Sequence, residues 1–179
     1  MKQFFKKHIR LVTVIGVLFI IYMGYLTLKE SVNVDEELDK AISNYILDNF
    51  RDKFDAGHKQ FEAHKIYGIE EKDGLINVYM YSLYEGYSFV NKKFKLQGGG
   101  SHPVLMIFKK NDGRYSVVEY REPVSGSEYG DSIIAMFPSK YAKEAINYDT
   151  RNAAGLSGNI RKQTKKWLKE EGKSGFILE

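Results

Sequence analysis

The run LVTVIGVLFIIYMGYLTL, from Leu11 to Leu28, is eighteen residues without a charge. As a helix, at about 1.5 Å per residue, it spans ~27 Å, the depth of a bilayer core. Lys2, Lys6, Lys7 and Arg10 precede it with no acid among them, while Lys29, Glu30, Asp35, Glu36 and Glu37 follow. Flanking bases favour the cytoplasmic side of a span. The pattern therefore predicts a cytoplasmic tail at 1–10, a transmembrane anchor at 11–28 and an extracytoplasmic remainder. The partner it implies directly is the lipid bilayer of the cell membrane. Bulky Tyr25, Leu26 and Leu28 stand where a signal peptidase needs small residues, so the anchor is expected to stay uncleaved.

The anchor also accounts for the charge. The chain has 27 bases and 23 acids, and the four bases of the tail are the whole excess, which leaves 23 of each beyond residue 28. Nucleic-acid binders concentrate positive charge on the binding domain itself, so no nucleic-acid partner is expected. The absence of cysteine excludes disulfides, thiol chemistry and a lipidated N-terminal cysteine.

Beyond the anchor, about 120 residues (29–150) read as one α+β domain, followed by a basic helix and tail at 151–179. In residues 34–52, Leu38, Ala41, Ile42, Tyr45, Ile46 and Phe50 recur at three and four, the period of an amphipathic helix. Asn33 and Glu36 have capping-box spacing. Four strands are then expected: one around Phe61 to Ile69, LINVYMYSLYEGYSF, VLMIF and RYSVVEY. Hairpin turns are expected at 72–74 and at Asn111-Asp112-Gly113, and a flexible connection through GGG at 98–100. Gly86 marks a bulge or an end. Both alternating sets of VLMIF are apolar, which predicts cover on both faces. Asp131 is expected to cap a short helix that Pro138 ends. Ile160, Thr164, Trp167 and Leu168 share one face of the basic helix, with Gly172 as its cap. The expected architecture is a helix packed across a curled four-stranded antiparallel sheet, cystatin-like or nuclear-transport-factor-like, with C-terminal helices.

Chemical motifs are sparse. His58 and His64 lie near Asp55 and Glu62, but without the convergent ligand set a metal needs, so they read as surface histidines. GGG precedes a strand, whereas a phosphate loop precedes a helix. GLSG at 155–158 lacks nucleophile-elbow spacing, and no histidine follows it. Glu70, Glu71, Glu119 and Glu122 supply carboxylates, but nothing in their spacing selects a pair. No catalytic residue, cofactor site or metal site is expected. Tyr79, Tyr81, Tyr84 and Tyr87 crowd one strand and, with Trp167, form the candidate partner or ligand surface. Aromatic side chains bury large area at little entropic cost. Core packing is their plainer reading. The basic helix has three readings: docking on the sheet, lying on anionic lipid, or binding a partner.

The stretch from HKIYGIEEKDGLINVYMY to HPVLMIFKKNDGRYSVVEYREPVSGSEYGDSIIAMFPSKYAKEAI, about residues 60 to 150, carries a resemblance. VVEYREP running into the Gly-rich turn at Ser125 to Gly130, and SIIAMFPSKY, are its most specific parts. The stretch resembles the extracytoplasmic C-terminal region of bacterial beta-lactam-sensor-type membrane metallopeptidases and related stand-alone single-pass proteins. Those sensors carry a zinc motif among several spans, which this chain lacks, and it has no serine–lysine acylation motif. The resemblance implies a non-catalytic module.

The expectation is a membrane-anchored extracytoplasmic binding, sensory or accessory module, not an enzyme, that meets an envelope ligand or a membrane-protein partner. The alternatives are an envelope hydrolase using carboxylates on the sheet and a small structural subunit of a membrane complex.

Overall fold

Three turns frame the molecule. Asp73-Gly74 (φ 54° and 72°), Asn91-Lys92 (49° and 63°) and Asp112-Gly113 (49° and 78°) all sit in the left-handed region. Consecutive positive φ angles match the twist of a two-residue hairpin. Between the turns run β1 (Lys59–Lys72), β2 (Leu75–Val90), β3 (Lys93–Asn111) and β4 (Arg114–Arg121), each antiparallel to the next. The computed structural model describes residues 34–51, 59–148 and 150–179, which belong to the unit Val34–Glu179. The expected tail, the expected anchor, Asn33, Asp55 and His58 lie outside the described residues. Among those described, no helix is long and apolar enough to cross a membrane.

The class is α+β. Helices α1 (Glu36–Phe50), α2 (Tyr129–Met136), α3 (Ser139–Ile146) and α4 (Thr150–Glu170) pack on the sheet. Strand alternation decides which face each covers. Val78, Met80 and Tyr84 of β2 join Val104, Met106 and Phe108 of β3 under Leu38, Ile42, Ile46 and Phe50 of α1. The intervening residues point the other way. There Tyr79 and Leu105 meet Ile133, Phe137, Ala142 and Ala145, while Phe61, Ala63, Tyr87 and Phe94 meet Leu156, Ile160 and Leu168 of α4. The doubly apolar VLMIF segment is thus covered on both faces. The basic segment docks on the sheet as an amphipathic helix.

Several expectations are corrected. The sheet is five-stranded and mixed, because a short β5 (Ile177–Leu178) pairs in parallel with Lys93 and Phe94. The reason lies in the end of α4. Gly172 (φ 66°) closes it with Lys173 N–H donating to Leu168 O (2.7 Å) and Gly172 N–H to Lys169 O (3.1 Å). This double closure turns the chain back toward the sheet. The sheet is not curled around one helix either, since helices press on both faces. GGG is no flexible connection: it lies within β3, opposite Tyr84, Glu85 and Gly86. A Cβ on Gly99 would run into the Tyr84 carbonyl oxygen, so the pairing itself requires glycine there. The irregularity at Gly86/Tyr87 is a bulge. Asp35, not Asn33, caps α1, accepting from Leu38 N–H at 2.8 Å. Asp131 falls in the first turn of α2, whose cap position is Glu128.

Candidate functional site

Among the described residues β1 pairs only with β2, so its other side is an edge of the sheet they form. Along that edge a groove of about 680 Å³ opens between α1 and α4. Its size is ordinary for a ligand site, roughly 300–1,000 Å³. The periodicities of three elements build it. On α1, Asp39, Ser43 and Leu47 recur every four residues beside the buried stripe of Leu38, Ile42, Ile46 and Phe50. On β1, Phe61 and Ala63 face α4, whereas Glu62 and His64 face α1. On α4, Asn159, Lys162, Gln163 and Trp167 flank the stripe that enters the core. The Gln163 side-chain amide donates to Glu62 O at 2.8 Å, covering the strand edge at that point.

The floor is a linear chain of polar groups. Ser43 Oγ donates to Glu62 Oε1 at 2.5 Å, His64 Nδ1 lies 3.1 Å from Glu62 Oε2, and His64 Nε2 lies 3.2 Å from Asp39 Oδ1. The Glu62 and His64 side chains are each only 9% exposed. Burial disfavours a charged imidazole, but the hydrogen bond and charge of Glu62, helped by Asp39, outweigh it and raise the His64 pKa above 6.5. With both ring nitrogens protonated, each N–H has a carboxylate to donate to. His64 is therefore not the surface histidine expected, and the bridge joins α1 to β1.

The order of these groups matters chemically. An activated serine needs an imidazole as its immediate acceptor. Here the acceptor is a carboxylate, and the imidazole is flanked by carboxylates on both sides. Among the described residues no group of three or more His, Asp or Glu is placed to hold a metal. The carboxylates considered from sequence lie elsewhere. Glu119 is exposed and held by Arg121 of its own strand at 2.5 and 2.7 Å, and the Arg121 hydrogen bond lowers its pKa. Glu122 lies 3.4 Å from His102 Nε2.

The rim is cationic and aromatic. Lys59 Nζ lies 5.7 Å from the Phe61 ring centroid and 5.9 Å from that of Trp167. Trp167 packs edge-on against Phe61 (6.1 Å) and tilted against Phe94 (5.3 Å). It is half-buried, with one side in the core and one on the groove.

The structure does not bring the expected aromatic surface together. Tyr79 is buried against Phe137 and Tyr141 (5.4 and 5.3 Å). Tyr81 stacks on Tyr148 at 3.8 Å and donates to Ser101 Oγ at 3.2 Å. Tyr84 is fully buried on the opposite face, beside Phe50. Tyr87 is buried and donates to Glu85 Oε2 at 2.6 Å. Alternation puts Tyr79 and Tyr81 on one face and Tyr84 on the other, as their spacing implies, and both faces are roofed by helices. Of the five, only Trp167 borders the groove. Asp39, Ser43, Lys59, Lys162 and Gln163 were missed, and Glu62 and His64 were weighed only as metal ligands. The shared face of Glu62 and His64 was readable from their spacing, but that α1 would lie over it was not.

No family model, no curated protein and no solved structure matches the chain.

Proposed function

We propose that this chain is a single-pass, membrane-anchored, extracytoplasmic module that binds, senses or assists without catalysis, and that its ligand or partner enters the groove beside β1. The observation that carries the reading is the groove itself. It is open, rimmed by cationic and aromatic groups, and floored by polar groups that satisfy one another. Such a floor suits recognition better than turnover, because its hydroxyl and imidazole are already engaged by carboxylates.

The anchor rests on Leu11–Leu28 and the bases before it. A helix across a four-stranded antiparallel meander supports the cystatin-like or nuclear-transport-factor-like description, which concerns architecture only. The resemblance to the extracytoplasmic region of beta-lactam-sensor-type metallopeptidases remains part of this proposal and supplies no catalytic residue. The hydrolase alternative needs a carboxylate pair with separated pKa values in a cleft, and Glu119, exposed and paired with Arg121, is a poor candidate.

The test is photo-crosslinking in cells. A photoreactive residue at Lys162, exposed on the groove rim, should label one dominant membrane or envelope component. The same residue at Lys109, exposed on β3 and outside the groove lining, should not. Equal labelling from both positions, or a soluble form lacking residues 1–28, would overturn the reading.

A further inference from the structure

Residues 34–179 carry 22 bases and 22 acids, yet the charge is segregated. Helix α4 alone holds six bases and one acid. Arg161, Lys162, Lys165, Lys166 and Lys169 lie within nine residues and all are exposed. At about 100° per residue they fall on the arc opposite Ile160, Thr164 and Leu168, which are buried against the sheet. Among the described residues, Lys166 alone of the five has a carboxylate partner, Glu170 at 3.9 Å. Bases of one sign on one face form a field that neighbouring acids do not cancel.

We propose that this outward face of α4, together with the adjoining groove, binds a linear polyhydroxylated polyanion: a sugar or polyol chain with phosphate or carboxylate groups at regular intervals. The proposal rests on the binding-module reading and names its ligand class.

Three features select that class. Arg161, Lys165 and Lys169 recur every four residues, about 6 Å apart along the axis. An extended polymer with one anion per ~6 Å stays in step with them, and Lys162 and Lys59 continue the positive path into the groove. The groove wall there offers the exposed amide of Asn159, a donor and acceptor suited to hydroxyl groups. Other polyanions fit less well. Insertion into lipid needs an apolar face, and that of α4 is spent on the sheet, which leaves Ala154, Gly155, Ser157 and Asn159 outward beside the bases. Single-stranded nucleic acid needs free aromatic faces to stack on. Trp167 is flanked instead by Phe61, Phe94, Lys59 and Lys173.

The full chain in neutral detergent would be titrated with poly(glycerol phosphate), with polygalacturonate and with neutral dextran. Binding to at least one anionic polymer is expected, falling steeply with salt, with none to dextran. The polymer bound more tightly separates phosphate from carboxylate recognition. The triple variant Arg161→Gln, Lys165→Gln, Lys169→Gln should weaken binding at least about tenfold through loss of its phosphate or carboxylate contacts. Lys72→Gln, Lys109→Gln, Lys143→Gln removes equal charge elsewhere and should leave affinity within about twofold, since attraction at a distance is screened. Matching melting temperatures would show that both variants fold. Equal losses from the two variants would overturn the proposal. So would no binding, or tighter binding to equimolar phosphatidylcholine–phosphatidylglycerol vesicles or to duplex DNA. Because the titration does not use the membrane, failure of the anchoring alone would leave this result standing.

Discussion

The Tyr141 ring of α3 lies over Gly68 of β1, in the space a side chain at 68 would fill. Gly68 stands opposite Tyr79, and the Tyr141 ring packs on Tyr79 at 5.3 Å. The missing Cβ is therefore what seats α3 on the sheet. Gly68→Ala should destabilise by about 1–3 kcal/mol. The low end is expected, because the ring is the mobile end of its side chain. In the background Tyr141→Ala the same substitution should cost clearly less. A double-mutant cycle by denaturant unfolding checks this, and additive costs would refute the contact.

The His64 bridge makes stability depend on pH. The folded pKa is raised above 6.5, so the contribution is complete below 6.5 and is lost as pH rises through the folded value. The melting temperature should therefore fall between about pH 6 and the alkaline side of that titration. His64→Gln should flatten this part of the profile. An unchanged profile in the variant would place the sensitivity elsewhere. NMR titration of the His64 ring gives the pKa directly.

Asp35 couples the start of α1 to the hairpin end of the sheet. Besides capping Leu38, it accepts from Tyr115 Oη (2.6 Å) and Lys110 Nζ (3.1 Å). The Tyr115 hydrogen bond first, then that of Leu38, with Lys110 also helping, holds its pKa down at about 2. A depressed carboxylate pKa contributes stability above the ordinary value of 3.8, lost as pH falls toward about 2. Asp35→Ala should lower the melting temperature by about 2–4 °C at neutral pH and reduce the acid sensitivity. Asp35→Asn should recover part of the cap but not the ion pair. Thermal scans at pH 7 and pH 3 distinguish the two.

Tyr67 is buried, and its hydroxyl has no hydrogen-bond partner among the described residues. Burial, with smaller contributions from neighbours led by Tyr148, drives its pKa far above the usual tyrosine value. Removing an unpaired buried hydroxyl gives up no bond, so Tyr67→Phe should leave stability unchanged or raise it by up to about 1 kcal/mol. Chemical denaturation measures it. A loss of stability would instead mean that the hydroxyl is solvated by an internal water.

Local chemistry made much of the fold legible. Asp-Gly pairs announced two turns, the 3.6 period announced α1 and α4, and the doubly apolar VLMIF announced a strand roofed on both sides. The middle hairpin was expected, but as a long polar connection from Asn91 through GGG; its turn is confined to Asn91-Lys92, which places a lysine at positive φ, where glycine is the usual signal. GGG misled for the converse reason. The three glycines lie within the β3 pairing, and Gly99 serves close backbone approach to Tyr84 and Glu85 rather than flexibility. β5 escaped because two residues carry no periodicity.

By itself, the sequence determined the hairpin meander, the amphipathic stripes of α1 and α4 and the balance of charge, since these depend on neighbours within a few positions. Only the tertiary structure decided the groove. Asp39, Ser43, Glu62, His64 and Gln163 span more than a hundred positions and meet only because α1 and α4 dock on opposite faces beside one edge strand. The same docking decided the tyrosines and the bases. It buried Tyr79, Tyr84 and Tyr87, whose apolar area is worth more out of water. It left Arg161, Lys165 and Lys169 outside, because an unpaired charge is too costly to bury.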